Sequence, residues 1–304
     1  MAEPEQPEFA RERHVLFLEA MASELPADYA SQEVNHLTLA YFAVAGLSLL
    51  RELDSVNKDQ IAKWILSFQV HPKTDNELDN GQFYGFCGSR TTQFPSTNMK
   101  DPCHNGSHLA STYSALAILK IVAAICSMLK DWTGMDKEKA KQYILSCQSY
   151  DGGFGLVPGS ESHGGGTFCA VAALCLMGFI QVDLASNLQE PSSIDVRLLL
   201  EWCLQRQAAD GGFQGRRNKS SDTCYAFWIG GVLKIIGAYR FIDHGALRSF
   251  LLYCQSPYGG FTKFLYDQFP DIYHSYYGLA ALSLLEEEGL EPLCTELGIL
   301  SAAL

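Results

Sequence analysis

The sequence predicts an all-α fold of stacked helical hairpins, arranged as a solenoid or as a closed double-layered barrel. One sequence repeat recurs, in the order amphipathic helix, glutamine, Gly-Gly-Phe turn and apolar helix. Its copies span residues 143–155, 202–215 and 251–261, and residues 64–69 are a first copy with a divergent turn. Paired glycines end a helix and reverse the chain, and stacked repeats bury a continuous core. The alternation typical of strands is nearly absent.

The composition is that of one globular domain over residues 1–304. Hydrophobic residues make up 47% of the chain and charged residues 18%, which excludes a disordered protein. The longest apolar runs are too short for a bilayer, and the acidic, Pro-rich start is unlike a signal peptide. We therefore expect a cytoplasmic protein without a transmembrane segment. The net charge of −12 argues against nucleic-acid binding through phosphates.

The ten cysteines are scattered, and no two form a CxxC pair. Several fall within apolar helical patterns. Most are therefore predicted to be buried, reduced thiols, as in cytosolic proteins.

The N-terminal part is predicted to contain three helices and a long loop. Residues 1–10 are expected to be loose, and an amphipathic helix begins at Ala10. Residues 36–50 are strongly apolar and should be buried. Residues 57–68 repeat apolar side chains at helical spacing behind a polar cap. Residues 71–107, rich in Gly, Asn, Pro, Ser and Thr, are predicted to form a long loop, which in a compact domain is often functional.

One hairpin of the series is predicted to be missing. Residues 108–122 resemble an inner, apolar helix that a turn and an outer helix should follow. A second apolar segment, residues 123–132, follows at once. The two segments look like the ends of two inner helices joined at Val122–Ala123. A single long helix is the alternative.

Candidate anion-binding residues lie where the apolar helices begin. If the hairpins stack, the N-termini of the apolar helices lie at the same rim of the fold. Helix N-termini favour anions. His163 follows the first turn, Arg216, Lys219 and Tyr225 follow the second, and Lys263 follows the third. Together they predict a site for a phosphate-type group. The alternative is a solvated rim of caps and turns.

Three residues at the same starts are of the types that bind zinc. Asp222 and Cys224 lie two residues apart, and His274 occupies the matching place one repeat later. Three protein ligands leave a fourth position open, as in catalytic zinc sites, and a substrate thiol held there would be a thiolate. The alternative is a core thiol and a satisfied buried histidine.

Aromatic side chains are frequent in the apolar helices. In a closed barrel they could line a deep cavity for a long hydrocarbon with an anionic head, whereas a simple packed core is the alternative. The set comprises Tyr41, Phe42, Tyr113, Phe168, Tyr225, Phe227, Trp228, Tyr276 and Tyr277.

These motifs resemble those of the β subunits of the protein prenyltransferases, and among them geranylgeranyltransferase type I. The resemblance covers about residues 11–298 and rests most on ESHGGGTFC, DGGFQGRRNKSSDTCYAFW and YHSYYGLAALSLLEE. It implies an α/α barrel (toroid) and a helical-repeat α subunit as heterodimer partner. It also implies transfer of geranylgeranyl from geranylgeranyl diphosphate to the cysteine of a C-terminal CaaX motif, with X typically Leu, on proteins such as small GTPases.

The resemblance also implies roles for individual residues. Asp222, Cys224 and His274 match the ligands of one Zn²⁺ ion. Lys263 stands where farnesyltransferase has an aspartate linked to magnesium, so it would stabilise the leaving diphosphate without that ion. The diphosphate-binding groups would be His163, Arg216, Lys219 and Tyr225.

The isoprenoid and peptide pocket is implied at Thr38, Phe42, His108, Tyr113 and Trp228. Farnesyltransferase has a tryptophan where Thr38 stands, and a small residue leaves room for a fourth isoprene unit. Tyr273 is more like the farnesyl enzyme, so a farnesyltransferase-like specificity is an alternative.

The family has a complete repeat where this chain joins Val122 to Ala123. An alternative function is therefore a shortened, non-catalytic subunit that binds the α subunit or an isoprenoid without turnover. A terpene cyclase on a related barrel lacks support, because the sequence contains no DxDD or DDxxD motif.

Overall fold

The structure is a computed structural model that describes residues 7–69, 86–87, 137–180, 194–267 and 269–301. Most of the predicted long loop at 71–107, the pocket candidates His108 and Tyr113, and the Val122–Ala123 junction lie outside these ranges.

Within the described ranges the chain forms nine α-helices, which agrees with the predicted all-α fold. They are α1 Arg11–Ser23, α2 His36–Leu49, α3 Lys58–Leu66, α4 Lys137–Ser146, α5 Gly164–Leu176, α6 Val196–Leu204, α7 Thr223–Ile235, α8 His244–Tyr253 and α9 Ile272–Leu284. Short 3-10 helices span Ala27–Asn35, Leu53–Ser55 and Tyr239–Phe241, and strands β1 Leu293–Cys294 and β2 Ile299–Leu300 pair antiparallel. None of these helices has both the length and the apolarity to cross a bilayer.

The apolar helices form the inner layer. α5 packs on α7, α7 on α9, and α9 on α2, and most residues of these four helices are buried. The phenylalanine of each Gly-Gly-Phe turn, at positions 154, 213 and 261, is fully buried. The turns therefore anchor the hairpins in the core through the effect of apolar burial.

Each turn is tied to the next outer helix by its glutamine. Gln148 donates to the main-chain oxygen of Asp195 at 3.3 Å and accepts from its N–H at 3.2 Å. Gln207 makes the same pair with Asp243, both at 2.9 Å. Asp195 and Asp243 are the N-caps of α6 and α8, so each glutamine fixes the place where the next outer helix begins.

The third turn is tied in the same way to the N-terminus. Gln255 donates to the main-chain oxygen of Glu8 at 3.0 Å and accepts from the N–H of Ala10 at 2.9 Å. Gly259 has a φ of +90°, and a Cβ there would lie 2.0 Å from the oxygen of Arg13. Helix α1 thus takes the place of the next outer helix and closes the ring, as in the predicted barrel. Part of the segment expected to be loose is in contact with the fold.

A histidine of α1 completes the third turn. In the first two turns the second glycine donates its N–H to the aspartate of the turn, at 3.3 and 3.0 Å. In the third, Tyr258 replaces the aspartate, and Gly260 donates to Nδ1 of His14 at 3.0 Å. The His14 ring stacks on Phe261 with 4.6 Å between centroids, and its Nε2 donates to Gln255 at 2.8 Å.

Candidate metal and anion site

The candidate site begins at the N-caps of three inner helices. His163, Asp222 and Asp271 hold the equivalent position before α5, α7 and α9, and each side chain accepts a main-chain N–H of its own helix, at 3.1, 3.0 and 2.8 Å. Each cap also donates its own N–H to the carbonyl of the turn phenylalanine. The repeat thereby places these three side chains in equivalent positions along the inner layer.

Asp222, Cys224 and His274 come together in a buried cluster. One ligand atom from each residue lies within 4.8 Å of the others, and Nε2 of His274 is 3.2 Å from Oδ1 of Asp222. A carboxylate, a thiol and an imidazole are zinc ligand types, and three of them leave one position for a substrate. The cluster could therefore hold a metal ion.

The acidity of Cys224 fits this interpretation. Burial raises the pKa of the Cys224 thiol, and the Asp222 carboxylate beside it raises that pKa further. A thiol in such a place becomes a thiolate only when a cation compensates its charge. The donor set is thus suited to a metal ion.

Asp271 orients the histidine of the cluster, a role that the sequence did not reveal. Its Oδ2 lies 2.5 Å from Nδ1 of His274, so Nδ1 carries the proton and Nε2 faces Asp222. Burial opposes protonation, but the hydrogen bonds to Asp222 and Asp271 outweigh it and raise the pKa of His274 to about 9. A metal ion bound at Nε2 would take the place of the proton that this nitrogen carries in the charged ring. The feature of the sequence that could have indicated this role is the position of the aspartate, three residues before the histidine at the start of a helix.

His163 and Tyr225 form the core of the candidate anion site. Nε2 of His163 and the Tyr225 hydroxyl are 3.0 Å apart. Since Nδ1 accepts from Gly165, Nε2 carries the proton and donates to the tyrosine oxygen. Burial, with the neighbouring Arg216, lowers the pKa of His163, consistent with a neutral ring. The hydroxyl hydrogen of Tyr225 is then available to a ligand.

Of the two predicted cations in the loop between the second Gly-Gly-Phe turn and α7 (the second loop), Arg216 lies close enough to His163 to lower its pKa. Arg216 donates to Oε2 of Glu161 at 3.0 Å, and both side chains are partly exposed. Lys219 is exposed three residues further along the loop. An incoming anion would compete with the Glu161 carboxylate for Arg216.

Lys263 lies near the metal cluster, in the loop between the third Gly-Gly-Phe turn and α9 (the third loop). Its Nζ lies 3.9 Å from Oδ2 of Asp222, and about half of the lysine side chain is exposed. The ammonium therefore lies at the border between the buried cluster and solvent.

The pocket candidates on α2 and α7 meet in an aromatic wall. The indole N–H of Trp228 donates to the Tyr273 hydroxyl at 3.1 Å, and the Phe42 ring lies edge-on to Tyr273 with centroids 5.6 Å apart. Thr38 precedes Phe42 by about one helical turn. Of the rings offered as cavity lining, Tyr225 and Trp228 are partly exposed. The others in the described ranges are buried: Tyr41, Phe42, Phe168, Phe227, Tyr276 and Tyr277.

A family model describes the chain as a prenyltransferase alpha-alpha toroid domain and matches residues 9–124 and 119–299. The geranylgeranyl transferase type-1 subunit beta of Arabidopsis thaliana is 56% identical over 334 residues, covering 96% of this chain and 89% of the relative. The subunit of the same name from Dictyostelium discoideum is 33% identical and covers 90% of each. The solved structure of Candida albicans protein geranylgeranyltransferase-I complexed with GGPP matches with a TM-score of 0.80, over 97% of both chains, at 24% identity.

Two features of these matches concern the predicted missing hairpin. The two stretches matched by the family model overlap at residues 119–124, which include the Val122–Ala123 junction. The Arabidopsis alignment, 334 residues long, exceeds the 304 residues of this chain, so that relative has residues without a counterpart here. Both are expected of a chain that lacks an internal segment.

Proposed function

The chain belongs to the prenyltransferase alpha-alpha toroid family, and from that premise we propose that it is the β subunit of a protein geranylgeranyltransferase type I. It would transfer the geranylgeranyl group from its diphosphate to the cysteine thiol of C-terminal CaaX proteins. The observation that carries the proposal is the buried cluster of Asp222, Cys224 and His274, in which Cys224 is followed directly by Tyr225 of the candidate anion site. A thiol to be activated and a diphosphate to be released require these two sites next to each other.

The metal of the proposal is one zinc ion held by Asp222, Cys224 and His274. When bound, zinc lowers the pKa of a coordinated thiol, so that a thiolate exists near neutral pH. Asp271 keeps the ring of His274 in the orientation needed for binding through Nε2. The buried surroundings exclude water and strengthen these interactions.

The anion site would bind the diphosphate and stabilise its departure. Attack of the substrate sulfur on C1 of the isoprenoid forms a C–S bond and breaks the C–O bond, so negative charge grows on the diphosphate. Arg216, Lys219 and the free hydroxyl hydrogen of Tyr225, oriented by His163, would donate to it. Lys263 would add a fourth donor on the side of the metal cluster, so the reaction would not require magnesium.

The hydrocarbon would lie along the aromatic wall of Phe42 and Trp228, with Thr38 leaving space for the fourth isoprene unit. His108 and Tyr113, outside the described residues, complete the proposed pocket by resemblance. Tyr273 stands between this wall and the metal cluster, where it would contact the peptide.

We further propose that the chain works in the cytoplasm with a prenyltransferase α subunit, on CaaX proteins such as small GTPases. Seven cysteines of the described ranges are free thiols, which suits a reducing compartment: Cys147, Cys169, Cys175, Cys203, Cys224, Cys254 and Cys294. The net charge of −12 argues against nucleic acid as a partner.

Removal of the metal ligands tests the proposal. Asp222→Asn and Cys224→Ala, each purified with an α subunit, should lose bound zinc and transfer of labelled geranylgeranyl to a peptide ending in CaaL. Cys294→Ala, at a thiol of the β1–β2 hairpin, is the matched control and should keep both. Transfer that persists without metal would refute the mechanism.

The alternative of a non-catalytic subunit is favoured by one observation, the junction at Val122–Ala123. A folded, zinc-loaded complex that binds geranylgeranyl diphosphate but transfers nothing would support that alternative. Comparing farnesyl and geranylgeranyl diphosphate in the same assay tests the farnesyl-like specificity.

A further inference from the structure

Thr223 lies between two of the proposed metal ligands, and its polar groups contact the following repeat. The residue is fully buried. Its N–H donates to the main-chain oxygen of Lys263 at 3.0 Å. Its hydroxyl lies 2.7 Å from the main-chain oxygen of Thr262 and 3.3 Å from that of Lys263. The first residue of α7 thus holds two consecutive carbonyls of the third loop.

This contact ties the main chain of Lys263 to the start of α7, beside the metal cluster. On its own side the loop is anchored through Thr262, whose N–H donates to the oxygen of Cys254 at 2.9 Å. Across the gap to α7, Thr223 supplies the main-chain link. The Lys263 ammonium lies 3.9 Å from Asp222 and 4.9 Å from the ring centroid of Phe264 in its own loop. A flexible lysine side chain depends on its main chain for its reach.

The neighbouring repeats show that the hydroxyl is an addition at this position. The first residue of α5, Gly164, donates its N–H to the oxygen of Gly215 at 2.8 Å and has no side chain to make a second bond. The first residue of α9, Ile272, donates its N–H to the hydroxyl of Tyr29 at 3.0 Å. Of the three helix starts that follow a Gly-Gly-Phe turn in the described chain, the start of α7, between Asp222 and Cys224, has the extra bond.

We propose that Thr223 is a positioning residue that acts through Lys263. Its hydroxyl holds the third loop against the start of α7, so that the lysine ammonium meets the departing diphosphate beside the metal cluster. The inference rests on the proposed function and assigns a residue to it that touches neither the metal nor the substrate.

A double-mutant cycle tests the inference. Thr223→Val, which keeps the shape and removes the hydroxyl, is combined with Lys263→Ala in the zinc-loaded complex with an α subunit. Single-turnover transfer to a CaaL peptide is measured together with zinc content. Thr223→Val should slow transfer about tenfold, because small misplacements of a catalytic group are costly. Lys263→Ala should slow it about a hundredfold, and the double variant should be no slower than Lys263→Ala.

Thr223→Ser restores the hydroxyl and should recover most of the rate, with zinc content unchanged throughout. If Thr223→Val does not assemble, Thr223→Ala, which is smaller and also lacks the hydroxyl, takes its place in the cycle. If the double variant is instead slower than Lys263→Ala by the factor that Thr223→Val loses on its own, the two residues act independently. That result would overturn the inference and leave the proposed function intact. A full rate in Lys263→Ala would overturn both the inference and the proposed role of Lys263.

Discussion

Acid should weaken the contact between helix α1 and the third Gly-Gly-Phe turn, which closes the ring, because this contact depends on His14. The side chain is only 1% exposed, and burial, assisted by the nearby Arg13, lowers the pKa of His14 to about 4 from 6.5. Its Nδ1 accepts the N–H of Gly260, which a protonated ring cannot do. The third turn therefore depends on a neutral histidine.

The sign and size of the effect follow from these two pKa values. Between pH 6.5 and pH 4 the unfolded chain binds a proton at His14 that the folded chain does not, so the free energy of unfolding falls as the pH falls. At about 1.4 kcal/mol per pH unit, the full difference amounts to about 3 kcal/mol. About 2 kcal/mol of this is lost between pH 7.5 and pH 5.

Urea unfolding of the wild type and of His14→Gln at pH 7.5 and pH 5 measures the effect. Glutamine can accept from Gly260 and donate to Gln255 but does not titrate. The wild type should therefore lose about 2 kcal/mol more stability than the variant. Hydrogen exchange of the Gly260 amide should accelerate in parallel, beyond the intrinsic pH effect. An equal loss in both proteins would refute the reasoning.

Three further changes have defined outcomes. Asp271→Asn keeps the helix cap but weakens the contact with His274, so zinc affinity in a chelator competition should fall about tenfold or more; unchanged affinity would contradict the orienting role. Glu161→Gln releases Arg216 and removes a negative charge, so geranylgeranyl diphosphate should bind a few-fold more tightly in a titration at low salt, by about 0.2–1 kcal/mol. Gly211→Ala combines a φ of +87° with a Cβ 2.2 Å from a carbonyl of α8, so the melting temperature should drop, and a wild-type value would exclude this close packing.

The helices of the fold were predictable because their signals are local. A polar cap, helical spacing of apolar residues and a Gly-Gly-Phe stop occur within a few residues of each other, as for α3 behind its cap Asn57. The closure of the ring has no such signal. His14 and Gly260 are 246 residues apart. The histidine takes the role that an aspartate has in the other two turns. That Tyr258 stands in the place of this aspartate is recognised only when the three turns are compared.

The candidate site divides in the same way. Asp222, Cys224 and His274 could be selected because their residue types are rare at the start of an apolar helix, and because the repeat brings the starts of α7 and α9 to the same end of the inner layer. The equivalence that the structure shows is between Asp222 and Asp271, the two N-caps, and not between Cys224 and His274. Asp271 reads as an ordinary N-cap, since its second carboxylate oxygen finds the imidazole only through the geometry of the first helical turn. The aromatic residues have the same spacing whether they line a cavity or fill a core, so the sequence left both alternatives open.

The parts of the site depend on different portions of the chain, which makes the effect of the Val122–Ala123 junction testable. The hydrogen bonds that hold the metal cluster come from residues 222–274, and the last turn is locked by α1. Zinc binding is therefore expected irrespective of the junction. The proposed pocket residues His108 and Tyr113, in contrast, lie in the apolar segment 108–122 that ends at the junction. A defect caused by the junction should thus appear as slow transfer to peptide in a complex with a full complement of zinc, and zinc loss in the wild type would show that the cluster needs more of the ring than its own repeats.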